Sequence, residues 1–265
     1  MPEMELRERH VVVTGAGRGI GLALAQRFHA GGARVVLVDL EAPTAQAAAL
    51  GGHALALAAD VATEVGNADL VERARQAFGP IDLFFANAGV GVGAGPLDTP
   101  EDDWALAFDV NVHAHRWAVK YLLDEWLARG DGYFCSTASA AGLLTQLGSA
   151  PYSLTKHAAV AFAEWMSITY GDRGVKVSCL CPQGVNTAML HAGDDAGVGI
   201  ASSVVRAAGA VLEPAEVAEI TAQAIADEAF LILPHPQVAE FVTRRAGDPA
   251  RWMAAMRRIQ AKLLG

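Results

Sequence analysis

The chain has 265 residues, with 20 Lys and Arg against 29 Asp and Glu for a formal charge of −9, and it is 52% apolar but only 18% charged. Such a length holds one large α/β domain or two small ones, either with a full core, and so small a charged share points to surface lost to core or to subunit contacts. The acidic balance gives no broad electrostatic footprint for nucleic acid or for an anionic membrane.

In chain order, the first ten residues mix acids and bases where an export signal needs a basic end and an apolar run. Short β-branched or apolar runs follow at 11–13, 35–38, 54–57, 81–85, 133–135, 175–180 and 230–233, each bounded by Gly, Asp, Asn or Pro, and these predict seven strands. Between them lie helical stretches at 20–30, 63–78, 100–129, 152–171 and 214–228. In the first, Ile20, Leu24 and Phe28 share a face before Gly31-Gly32 ends it. Strand and helix alternating in this way predict a doubly wound parallel sheet with helices on both faces, in one domain over 1–265. Glycines, aspartates and serines interrupt the pattern at 188–212, which reads as a mobile substrate loop. An amphipathic basic segment at 236–263 reads as a helical tail. Cys135, Cys179 and Cys181 make no disulfide framework and suit a reducing, cytoplasmic setting. Cys179 and Cys181 share a strand face with no further ligand pair nearby, so no metal site is expected.

Thr14-Gly15-Ala16-Gly17-Arg18-Gly19-Ile20-Gly21 follows the first strand and opens the first helix. Glycines there let the backbone turn tightly against a pyrophosphate, whose charge meets the free amides and positive dipole of the helix start. Asp39 closes the second strand 18 residues after Gly21, near the offset at which an acid meets the adenosine ribose. A carboxylate there accepts from ribose hydroxyls and repels a 2′-phosphate, so NAD is the expected cofactor; Arg18 leaves NADP as the alternative.

Tyr152 and Lys156 stand four residues apart at the start of a helix, on one face. Tyrosine titrates near pH 10 in water, and a neighbouring cation favours the phenolate. The pair is therefore expected to form a general acid/base, with Lys156 lowering the Tyr152 pKa by about three units.

Together these motifs resemble the short-chain dehydrogenase/reductase family, in its compact form with a Rossmann-like fold. Thr14, Gly15, Gly19 and Gly21 keep its glycine spacing; Asp60-Val61 and Asn87-Ala88-Gly89 end the third and fourth strands as in the family; Ser139 lies 13 residues before Tyr152; Tyr-x-x-x-Lys completes the set. The resemblance covers residues 10–187. It implies that Tyr152 exchanges a proton with the substrate oxygen, that Ser139 positions that oxygen, that Lys156 binds the nicotinamide ribose, and that Asn111 holds a water for proton relay. Ser136 and Ser149 are equally eligible as caps, but the spacing selects Ser139. It further implies adenine contact by Asp60 and Val61, and dinucleotide contact by Asn87, Ala88 and Gly89. In Pro182-Gln183-Gly184-Val185-Asn186-Thr187, Gln183 separates the family's Pro and Gly, so an altered path is expected there, with Pro182, Val185 and Thr187 kept beside the nicotinamide.

Positions expected around the substrate are Val90, Leu143, Leu144, Gln146, Gln183 and Met189, mostly apolar and without an Arg or Lys to clamp an anion. A neutral, fairly hydrophobic secondary alcohol or ketone follows as the small-molecule substrate. A halohydrin dehalogenase-like enzyme would carry Arg in place of Lys156, and a catalytically dead dinucleotide-binding sensor or scaffold would lack the Tyr or the Lys; both residues are present. The family pairs its two long helices across subunit boundaries. Trp104, Trp117, Trp126, Phe162 and Trp165 supply apolar surface there for a homodimer or homotetramer.

Overall fold

The computed structural model describes residues 6–195, Arg206 and residues 209–264. Its elements run β1 (His10–Thr14), α1 (Gly19–Ala30), β2 (Arg34–Asp39), α2 (Thr44–Leu50), β3 (Ala54–Ala58), α3 (Glu64–Phe78), β4 (Leu83–Ala86), α4 (Glu101–Phe108), α5 (Ala114–Arg129), β5 (Gly132–Thr137), α6 (Ala141–Leu144), α7 (Ala150–Tyr170), β6 (Val175–Leu180), α8 (Ala188–Asp195), α9 (Pro214–Ala226), β7 (Leu231–Ile232), α10 (Gln237–Gly247) and α11 (Pro249–Leu264). Most of the expected substrate loop, 196–205 with 207 and 208, lies outside the described residues.

The seven strands are all parallel, in the order β3-β2-β1-β4-β5-β6-β7. The chain therefore crosses from one edge of the sheet to the other half between β3 and β4, and the crevice past the carboxyl ends of β1 and β4 is where such sheets take ligands. Alternate residues of each strand feed opposite cores. On one side Val12, Val36, Phe84 and Phe134 pack with Leu70 of α3, Leu122 and Trp126 of α5, and Ala159 and Met166 of α7. On the other side Val11, Val35, Leu37 and Phe85 pack with Leu24 and Phe28 of α1 and Val217 and Ile225 of α9. Burial on both faces explains why the strands read as unbroken apolar runs.

One expected helix is interrupted. The stretch 100–129 contains a π-helical turn at Asp109–His113 between α4 and α5. The cause is tertiary: the side chain of Asn111, fully buried, is drawn into a cross-link with the β4–α4 connection. The expected tail is two helices rather than one. Asp248 accepts from the Arg251 amide at 2.9 Å, an N-cap that restarts the helix at Pro249.

Candidate active site

The crevice is built by a hydroxyl and an amide. Thr14 Oγ1, at the end of β1, accepts from the Asn87 and Ala88 amides, each at 3.0 Å. Asn87 Nδ2 returns a bond to Thr14 O at 3.0 Å, and its Oδ1 accepts from Thr137 Oγ1 at 3.0 Å, so the ends of β1, β4 and β5 are fixed together. The glycine turn lies tightly against this frame. Gly15 has φ +64°, and a Cβ on it would stand 2.9 Å from Ala88 Cα; a Cβ on Gly21 would collide with the Gly15 carbonyl. Asp39 faces the turn: its Oδ2 accepts from the Gly17 amide at 2.9 Å and its Oδ1 from the Leu40 amide at 2.9 Å. A carboxylate has about four lone-pair sites, so acceptor capacity remains. No side chain caps the first turn of α1, whose N-cap residue Arg18 is extended and exposed. Thr187 lies over the turn, its Cγ2 3.3 Å from where a Cβ on Gly19 would be. Ile20 is half-buried against the core. Val61 is buried, while Asp60 is exposed and accepts from the Ala62 amide at 3.0 Å.

Four polar side chains converge beside this cradle. Tyr152 and Lys156 rise from the first turns of α7, which Ser149 caps by accepting from the Tyr152 amide at 3.3 Å. Ser139, two residues past the end of β5, is near enough to the Tyr152 phenol to pull its pKa down. Ser136, by contrast, is turned into the core against His115 Nδ1 at 3.0 Å. Lys156 is 2% exposed and its Nζ donates to Thr137 O at 2.9 Å. The same Nζ and Asn111 Oδ1 both lie close to Gly89, 3.3 and 3.2 Å from where its Cβ would be. Asn111 itself accepts from the Val90 amide at 2.9 Å and donates to Val90 O at 3.0 Å and Thr155 Oγ1 at 3.1 Å.

The expected lowering of the Tyr152 pKa by Lys156 is corrected here. Burial pushes the phenol up and is the largest influence; the Ser139 hydrogen bond pulls it down, and nearby Cys181 adds to the rise. Lys156 stands 5.7 Å from the centroid of the phenol ring and is itself brought down to about 8 by burial. Desolvation outweighs the attraction that spacing alone suggested.

The description "short chain dehydrogenase" attaches to a family profile that matches residues 9–196. The chain belongs to the short-chain dehydrogenases. A meso-2,3-butanediol dehydrogenase of Serratia marcescens is 35% identical over 232 residues, 86% of this chain and 92% of that protein. A 2,5-dichloro-2,5-cyclohexadiene-1,4-diol dehydrogenase of Sphingobium indicum is 32% identical over 234 residues, 86% of this chain and 94% of its own. The crystal structure of a short-chain dehydrogenase/reductase from Burkholderia phymatum in complex with NAD superposes with a TM-score of 0.82 at 29% identity, covering 92% of this chain and 95% of that one.

Met189 and Tyr152 flank Gly91, with Met189 Cγ 3.7 Å and Tyr152 Cδ2 4.0 Å from where its Cβ would be. Val90 is tied through its backbone to Asn111, and Gln146 Nε2 donates to Leu147 O at 3.3 Å. Leu144 is 8% exposed and packs with Ala140 and Val238, where α10 covers α6. Leu143 joins the same cluster beside Phe241 and Trp252, and its carbonyl accepts from Arg245. Pro182 O accepts from the Ala140 amide at 2.8 Å and from Ser139 Oγ at 3.4 Å. Val185 bridges to Leu212, and Thr187 Oγ1 donates to Val185 O at 3.3 Å. Three contributors were not placed at the site from sequence: the π turn, the cover of α10, and His235, which bonds the Gln183-Gly184 backbone. Only the Pro-His-Pro at 234–236, just after a strand, marks the last of these.

Cys179 and Cys181 are buried on β6 and beyond its end, Sγ atoms 3.8 Å apart. His157 bonds back to Ser153 O at 2.8 Å. Among the described residues no cluster of three or more His, Cys, Asp or Glu is placed to hold a metal, and no helix is long and apolar enough to cross a membrane.

Proposed function

We propose that this protein is an NAD(H)-dependent dehydrogenase of neutral, fairly hydrophobic secondary alcohols and the matching ketones, with Tyr152 as its general acid/base. The convergence of Ser139, Tyr152 and Lys156 on one end of the crevice carries this reading. The residues present fit a dinucleotide, since a Cβ on Gly15 or Gly21 would fill the cradle and Asp39 keeps free acceptor sites beside it. Gly15, Gly17, Arg18, Gly19, Ile20 and Gly21 would hold the pyrophosphate, Asp39 the adenosine ribose, and Asp60 and Val61 the adenine. Asn87, Ala88 and Gly89 would line the path toward Lys156 on the nicotinamide ribose, with Pro182, Val185 and Thr187 beside the ring. When bound, NAD supplies the acceptor, and NADH the donor, of the hydride.

Ser139 would hold the substrate oxygen in line with the phenol, a contribution that is mainly orientation. Tyr152 would receive the hydroxyl proton in oxidation and return it in reduction. Burial keeps the free phenol protonated, which suits the reductive direction. The diol substrates named for two of the relatives agree with a neutral hydroxyl compound, and no cation from the expected pocket positions stands ready for an anion. One catalytic domain over 1–265 acts in the cytoplasm as a homodimer or homotetramer. Support for the assembly comes from Trp165, 53% exposed, and Ile168, 85% exposed, on α7, whereas Trp126 is spent in the subunit's own core.

The test is to mix the protein with NADH and follow its absorbance on addition of neutral ketones, carboxylated ketones and carrier-linked ketones in parallel. Decay with the neutral panel supports the reading; turnover confined to the charged or carrier-linked substrates overturns it. Sedimentation should give a multiple of 27.7 kDa.

A further inference from the structure

The geometry points to His235 as a positioning residue for the proton transfer, acting through the backbone of Gln183 and Gly184; this rests on the dehydrogenase reading above. His235 lies just past β7 and is 2% exposed. Its Nδ1 accepts from the Gln183 amide at 3.2 Å, which leaves the proton on Nε2, and Nε2 donates to Gly184 O at 3.0 Å. One ring thus holds the Gln183 amide and the Gly184 carbonyl together. Gln237 adds a bond from Nε2 to Gln183 Oε1 at 3.2 Å, and Gly184 O also accepts from the Leu212 amide at 2.9 Å.

The same backbone orients the catalytic side. Pro182 O, directly before the clamped residues, accepts from the Ala140 amide at 2.8 Å and from Ser139 Oγ at 3.4 Å. The route from His235 to Ser139 is therefore two short links of main chain and hydrogen bond. Releasing Gln183 and Gly184 lets Pro182 shift, and Ser139 with it, while Asp39, held by the Gly17 and Leu40 amides, is untouched. A misplacement of this kind lowers turnover more than it weakens dinucleotide binding.

The clamp requires a neutral ring, because a proton on Nδ1 would set two donors against each other at the Gln183 amide. Burial holds His235 below the ordinary histidine value, opposed only by the carbonyls of Gly184 and Ala210. No charged side chain among the described residues acts on it. In the reductive direction Tyr152 must be protonated and adds no loss of activity on the acid side, so an acid fall of kcat that is lost when His235 is replaced by a side chain that does not titrate reports on His235.

Two variants test the proposal. His235→Phe removes both bonds, and His235→Asn keeps an acceptor that does not titrate. The Phe variant is expected to lose about tenfold in kcat with the dissociation constant for NADH, read by fluorescence, changed less than about threefold. The Asn variant is expected to recover most of kcat and to lose the acid limb of the pH profile. Hydrogen exchange of the peptide covering 181–186 is expected to speed up in the Phe variant, a readout independent of any turnover. Unchanged exchange and kcat in the Phe variant, or an acid limb that persists in the Asn variant, overturns the proposal. If the wild type oxidises no NADH while exchange still responds to His235→Phe, the clamp stands and the dehydrogenase reading fails.

Discussion

Lys156 Nζ donates to the Thr137 carbonyl across 2.9 Å, so its charge is anchored to the end of β5 and not to the Tyr152 phenol, whose ring centroid is 5.7 Å away. The lysine is thus a buried cation held by the Thr137 carbonyl, and burial brings its pKa to about 8. A base whose folded pKa lies below its unfolded value costs stability while charged, and that cost is relieved as pH rises from about 8 toward 10.5. Among the four lysines of the chain, NMR of methyl-labelled side chains should show one midpoint near 8, absent in Lys156→Met. Four midpoints all above 10 would contradict the burial argument.

Asp39 bonds the Gly17 amide at 2.9 Å and so sits against the turn that would carry the pyrophosphate. Asp39→Ala should lower kcat/KM with NADH by about tenfold or more, the worth of charge-assisted bonds to a ribose. The same change should raise kcat/KM with NADPH, because the repulsion of the 2′-phosphate is gone. A wild type already faster with NADPH would reverse the assignment.

Asn111 bridges Val90 and Thr155 from inside the π turn. Asn111→Leu leaves the part-buried Val90 amide and carbonyl without that partner, a cost of about 1 to 3 kcal/mol in urea unfolding. An unchanged unfolding midpoint would mean that the turn is held by other contacts.

His115 is fully buried beside Phe134, and burial takes its pKa down to about 3. The unfolded chain therefore binds a proton that the native state refuses between about pH 6.5 and 3, and stability falls as pH falls through that window. Between pH 7 and 5 the loss from this residue is about 2 kcal/mol. Urea unfolding of His115→Leu at the two pH values should show a smaller difference than the wild type. Equal differences would show that the ring is protonated in the native state.

The parallel sheet was legible because strands buried on both faces leave unbroken apolar runs, and the glycine turn because Gly15 and Gly21 stand where no Cβ fits. What pattern could not show is what tertiary contacts decide. The π turn keeps helical hydrophobic spacing on either side of Asn111, so only the Val90 contact reveals it. Spacing placed Tyr152 and Lys156 on one face but said nothing of their burial, which set the pKa direction against expectation. Nor does local pattern show that α10, from more than ninety residues further on, covers Leu144.

The central claim is that the Tyr152 hydroxyl carries the proton, and Tyr152→Phe tests it with one atom removed. Reduction of a neutral ketone by NADH should fall by about a hundredfold or more in kcat, while the fluorescence-measured affinity for NADH stays within about threefold. A phenylalanine variant that turns over at the wild-type rate would contradict the account.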